Sequence, residues 1–243
     1  MTTSDRIARP TEPTHPVFRL IILVFAVLLG AQCVWLLLSE FSRPGINLLP
    51  TDQPAAITAA KQQDAAFWAA SVGVVRGDLW AESAFTYADL LFGPTVSSTN
   101  PALTDAAAHA SLSVDRALRT APHQSSVWLL LAGLALRFPS GHLDPTEALK
   151  MSYYTAPSEQ KLFPLRLSLA ARADRFDDVA MREFASRELR LLLKGNQNPA
   201  IAEAYNIASP AGKLFIEGTV ADLDPAFVKS LRASSTQKPS FRN

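Results

Sequence analysis

Nineteen consecutive residues near the N-terminus, residues 20–38 (LIILVFAVLLGAQCVWLLL), carry no charged side chain. As a helix they reach about 28 Å at ~1.5 Å per residue, close to the ~30 Å hydrocarbon core of a bilayer. Val17 and Phe18 extend the run, Arg19 is placed to snorkel, and Trp35 lies near the far end, where an interfacial aromatic belt is expected. A cleaved signal peptide fits less well, because the run is long and SEFSRPG follows it without an A-x-A pattern. A lipoprotein reading of Cys33 meets Gln32 where a small residue is needed. The expectation is a retained membrane-spanning helix over residues 17–38, in contact with the lipid bilayer.

Orientation follows the basic residues. Arg6, Arg9 and Arg19 precede the span and only Arg43 closely follows it. The positive-inside rule then puts the N-terminus in the cytoplasm and the rest of the chain outside the cytoplasmic membrane, in the periplasm of a cell with two membranes. Residues 1–16 read as a disordered arm, 39–54 as a Pro-rich irregular linker, 55–232 as one helical domain, and 233–243 as a polar tail. The net charge of +1 offers no footprint for nucleic acid. Cys33 is the only cysteine, so no intrachain disulfide is possible.

From residue 55 onward the apolar spacing is helical and the predicted fold class is all-α. Helices are predicted over residues 57–75 and 79–92, the first broken by Gly77-Asp78. In the second, Trp80, Ala84, Tyr87 and Leu91 form one stripe. Between residues 110 and 131 a further pattern stands out: Ala110, Val114, Ala117 and Pro122, then Trp128, Leu131 and Ala132. Phe163, Leu167 and Ala170, then Ala180 and Phe184, repeat the theme.

This spacing resembles the tetratricopeptide repeat family, whose pattern is W-x2-L-G-x2-Y, A-x3-F and P over about 34 residues. The resemblance covers roughly residues 79–192 and implies an α-solenoid of about three degenerate hairpins with capping helices. Ser83 stands in a Leu position, Ala135 in a Tyr position and Phe163 in a Trp position. The first repeat is about 14 residues longer than the family period, which predicts an enlarged loop around residues 93–101. Short helices over residues 199–207, 211–219 and 225–231 would close the stack, with Asp224 as an N-cap.

His15, His109, His123 and His142 are scattered singly, and no metal, phosphate-loop or nucleophile-elbow motif occurs. No catalytic, cofactor or metal residue is assigned, no cofactor is expected, and the chain reads as non-enzymatic. The family resemblance instead implies a groove lined by the first helix of each hairpin: Phe85, then Ser126, Leu129, Leu136 and Arg137, then Lys161 and Arg172. Its later part would be basic, suited to a carboxylate on a protein partner. The layout is similar to bacterial proteins with one N-terminal span and an exported repeat domain. They serve translocon-associated chaperoning, cytochrome c maturation or envelope polysaccharide assembly. That implies a membrane-anchored adaptor or assembly factor with membrane-associated protein partners. The alternatives are a structural subunit of such an envelope complex, and an enzyme with an unrecognised site.

Overall fold

The computed structural model describes residues 16–92, 101–139 and 144–236. The expected N-terminal arm apart from Pro16 (and so His15), the enlarged loop apart from Pro101, His142 and the last seven residues of the tail lie outside the described residues.

Among the described residues the chain is all-helical, with no strand. Helix α1 (Pro16–Phe41) holds the uncharged run and is long and apolar enough to cross a membrane. Every residue of it is exposed except Ser39, near its C-terminal end. Residues 42–52 have no regular structure, but they are not a slack tether: Leu49 is buried in the core and Ile46 packs against it.

The predicted helix over residues 57–75 is two helices, α2 (Gln53–Ala60) and α3 (Gln63–Gly73). The Asp52 carboxylate caps α2 by accepting from the Ala55 amide at 2.8 Å, with Pro54 in its first turn. The break has a packing cause. Helix α2 lies against α5 (Asp89–Phe92), while α3 lies against α1 and α4 (Gly77–Phe85). One straight helix could not reach both. Gly77 opens α4 rather than ending its predecessor. A Cβ there would stand 2.5 Å from Thr120 Oγ1 and 2.8 Å from Ala121 Cβ, so only glycine permits this approach to the end of α6 (Pro101–Thr120).

With α5 set aside, the helices from α4 to α10 pair in order. Helix α4 packs on α6, α7 (Ser125–Arg137) on α8 (Pro145–Thr155), and α9 (Phe163–Ala173) on α10 (Val179–Lys194). The first members, α4, α7 and α9, touch in succession. Small residues make the close approaches: Ala84, Ala110, Ala117, Ala132 and Ala148 are all buried. A short 3-10 turn, Gln160–Leu162, leads into α9. Helices α11 (Asn198–Ile207), α12 (Pro210–Ala221) and α13 (Pro225–Thr236) follow, and α13 runs into the expected tail. Asp224 accepts from the Ala226 and Phe227 amides at 3.1 and 3.0 Å, as its N-cap role requires.

Helix α9 belongs to two cores. Leu165 and Leu169 join the core shared by α4 to α8, whereas Phe163, Leu167 and Ala171 join one built with α10 to α13. Arg166 sits between them, 0% exposed. Its guanidinium donates to Ser125 Oγ at 2.7 Å, Ser152 Oγ at 3.0 Å, the carbonyls of Ser152 and Ala156 at 2.6 and 3.0 Å, and Glu188 Oε1 at 3.0 Å. It also lies 5.0 Å from the Tyr153 ring centroid. One side chain of α9 thus ties down α7, α8 and α10. Burial pushes the Glu188 carboxyl up to about 7, against the pull of Arg166. Tyr153 is close enough to shift Glu188 as well, although neither Tyr153 Oη nor Glu188 Oε2 makes a hydrogen bond of ordinary geometry.

Two outcomes follow from this hub. Arg166→Met drives a proton onto Glu188 and strips the Ser125, Ser152 and Ala156 oxygens of their buried donor, and should cost about 3–5 kcal/mol, part of it recovered in Arg166→Met/Glu188→Leu. Chemical denaturation of the detergent-solubilised chain reads both. The folded state also keeps a proton on Glu188 that the unfolded chain has already lost. Its contribution, about 3 kcal/mol, is therefore full below the unfolded carboxylate value and lost as pH rises through about 7. Melting temperature should fall between pH 5 and pH 8, and Glu188→Gln should flatten that slope.

Candidate functional site

The shared face of α4, α7 and α9 is the surface on which the sequence places a groove. The structure lays residues 42–52 along it. Near α4, a cavity of about 270 Å³ is bounded by Arg43 and Leu48 from this strap, Glu82 and Phe85 from α4, and Ser126 from α7. Further on, Leu48, Leu49 and Thr51 border a hollow of about 380 Å³ with Ser126, Lys161 and Pro164. Thr51 then reaches a small cleft of about 50 Å³ lined by Leu91, Ser168 and Arg172. The strap runs from α4, past α7, to α9, with an open hollow beside it at each step.

An ion network fixes the start of the strap. Arg43 donates through Nε to Glu82 Oε1 at 2.6 Å and again through Nη2, while Nη1 reaches Glu40 Oε1 at 3.0 Å and Nη2 reaches Asn47 Oδ1 at 3.0 Å. Arg76 bridges Glu40 Oε2 at 2.9 Å and Asp78 Oδ2 at 2.6 Å. The bond to Glu82 holds the Arg43 guanidinium above its ordinary proton affinity. Burial works against Asp78, but Arg76 and Arg43 hold its carboxyl below the usual value. Glu82 is buried, and its Oε2 has no hydrogen-bond partner. Glu82 and Asp78 line the first cavity together with Arg43.

The sequence-derived groove residues divide into three groups. Ser126, Lys161 and Arg172 line the hollows beside the strap. Phe85 is 2% and Leu129 0% exposed; they are core residues, with Phe85 contributing only to the floor of the first cavity, so neither presents a free surface. Leu136 is half-buried against the same core. Burial lowers the proton affinity of both Arg137 and Arg172, and the Arg172 charge lowers that of Arg137 further. Asp89, raised by burial, stands near Arg137 as its counter-charge. Arg137 and Arg172 thus form a half-buried basic pair, and Lys161 is an exposed cation on the neighbouring hollow.

Sequence reasoning missed Arg43, Glu82, Leu49 and Arg166. For Arg166 a signal existed: it shares the helical stripe of Phe163, Leu167 and Ala170, all of them buried. Among the described residues no group of His, Cys, Asp and Glu is arranged to hold a metal ion. His109 instead meets Phe67 edge-on at 5.6 Å, and His123 borders the first cavity.

No protein-family model, curated protein or solved structure matches this chain.

The network makes a measurable demand. Arg43→Ala strands the buried Glu82 carboxylate and frees the strap, at a cost of about 2 kcal/mol. Amide hydrogen exchange should rise across residues 45–52, and Arg43→Ala/Glu82→Gln should restore part of the stability without re-tethering the strap.

Proposed function

We propose that this chain is a non-enzymatic, membrane-anchored adaptor or assembly factor. In this reading α1 crosses the cytoplasmic membrane with its N-terminus inside. A tetratricopeptide-like helical domain stands outside and holds an extended segment of a partner protein. The observation that carries the reading is the strap. Residues 42–52, a stretch without regular structure, lie along the face of α4, α7 and α9, so that face already accommodates peptide in the manner a partner would need.

The repeat character has support of its own. Trp80 and Trp128 occupy equivalent places in the pattern, each near the start of the first helix of a pair. Each donates its indole N–H to the carbonyl six residues earlier, Trp80 to Val74 at 3.0 Å and Trp128 to Pro122 at 2.7 Å. Each closes the turn before its own helix. Phe163, which stands in the third equivalent place, has no N–H to donate, and there the 3-10 turn takes over.

Toward α9, Lys161 and Arg172 offer a partner's carboxylate a cation to pair with, although Glu159 and Glu203 line the same hollows, and toward α4 Glu82 and Asp78 stand with Arg43. A photo-activatable residue at Lys161 in the full chain should form a discrete adduct in cells, and the same residue at Arg190 on α10 should not. Arg172→Glu should cut the Lys161 adduct several-fold while leaving the helical circular dichroism unchanged. Equal adducts at both positions, or a Lys161 adduct indifferent to Arg172→Glu, would remove the groove from the account.

A further inference from the structure

Helix α1 packs along α3, and one hydrogen bond between them lies inside the uncharged run. Trp35 Nε1 donates to the Val72 carbonyl at 2.7 Å. Val72 lies in the last turn of α3, where backbone carbonyls lack an intrahelical donor. Trp35 supplies that donor from three residues inside the end of the uncharged run, about 4.5 Å at ~1.5 Å per residue. An orphan carbonyl away from bulk water must find a partner in the protein, and this one does.

The residues just beyond Val72 are apolar and bare. Val74 is 58% and Val75 69% exposed, and Trp68, one turn before Val72 on the same helix, is 44% exposed. Val74, the residue after α3, also has φ +32°. A β-branched residue is disfavoured there, and an exposed turn in water gains nothing from two valines. Where a local preference is broken without gain inside the fold, function is the place to look. The charges begin immediately afterwards: Arg76 pairs with Glu40, two residues past the end of the run. The apolar patch and the charged network therefore stack in the same order as hydrocarbon and headgroups.

We infer that the turn of Val74 and Val75, with the exposed face of α3, dips into the outer interface of the bilayer beside α1, so that the domain rests on the membrane rather than hanging from it. The occupant of this surface is lipid, because the patch is continuous with the spanning helix through the Trp35–Val72 bond. The inference rests on the membrane-anchor reading.

Nitroxide labels on the full chain in phosphatidylcholine–phosphatidylglycerol vesicles test it, with the native cysteine removed by Cys33→Ala. Labels go at Val75→Cys, at Leu28→Cys in mid-span, and at Arg190→Cys on the domain surface. The readout is collision with a water-soluble nickel chelate and with oxygen. The expected result is a Val75 label several-fold better shielded from nickel than the Arg190 label, and less shielded than the Leu28 label. If Leu28 is shielded while Val75 is as nickel-accessible as Arg190, the domain does not touch lipid there and the inference fails alone. If Leu28 is itself as accessible as Arg190, the anchor fails and the inference with it.

Discussion

A guanidinium removed from water needs nearly all of its donors satisfied, and Arg166 imposes that requirement on four helices at once. Its five hydrogen bonds end on α7, on α8 and the residue after it, and on α10, so α9 can dock in one register only. Apolar packing alone would not choose it. The surrounding residues are mostly leucine and alanine, which slide past one another at little cost. The charge converts a permissive stack of small residues into a specified one. It also joins the two cores, since α9 contributes one stripe to each. The stacked rings of Phe176 and Phe215, 4.1 Å apart, make a second, apolar bridge between them.

A second charged cluster does the equivalent work at the other end of the domain. Glu40, Arg43, Arg76, Asp78 and Glu82 gather where α1 ends, where the strap begins and where α4 starts. The pairs facing solvent are individually weak, but the one involving Glu82 is largely desolvated. Together with the Trp35–Val72 bond, they make the passage from α1 to the rest of the chain a fixed joint instead of a tether. The orientation of the face of α4, α7 and α9 relative to α1 is then a property of the fold.

What the sequence made legible and what it hid divide by physical cause. Periodic features were legible: the uncharged run, the alanines of the hairpins, the positions of Trp80 and Trp128, and the Asp224 cap. Each depends on spacing within one helix or between neighbouring ones. The hidden features depend on contacts between distant parts of the chain. Arg43 and Glu82 are 39 residues apart, and Arg166 and Ser125 41 apart. Residues 39–54 look like a linker because Pro44, Gly45 and Pro50 forbid regular structure. Composition shows that such a segment is irregular, not that Leu49 is buried. Phe85 and Leu129 were misplaced for a related reason. A first-helix position faces a groove only where nothing covers it, and here the strap and the tight α4–α7 approach cover both.

The strap alters what a groove of this kind can do. In a domain whose concave face is open, a partner segment meets a bare surface. Here the surface is already crossed by residues 42–52, with hollows left beside them whose linings carry charges of both signs. A partner must either fit those hollows or lift the strap. Lifting it would expose Leu49 and break the Arg43–Glu82 pair, which is also the joint that holds the domain to α1. Occupancy of the face and the placement of the domain against α1 would therefore draw on the same contacts. A ligand that favours the lifted strap loosens the joint by the free energy with which it prefers that state, and by no more. Coupling of that form needs no long-range pathway, because Arg43 belongs to both.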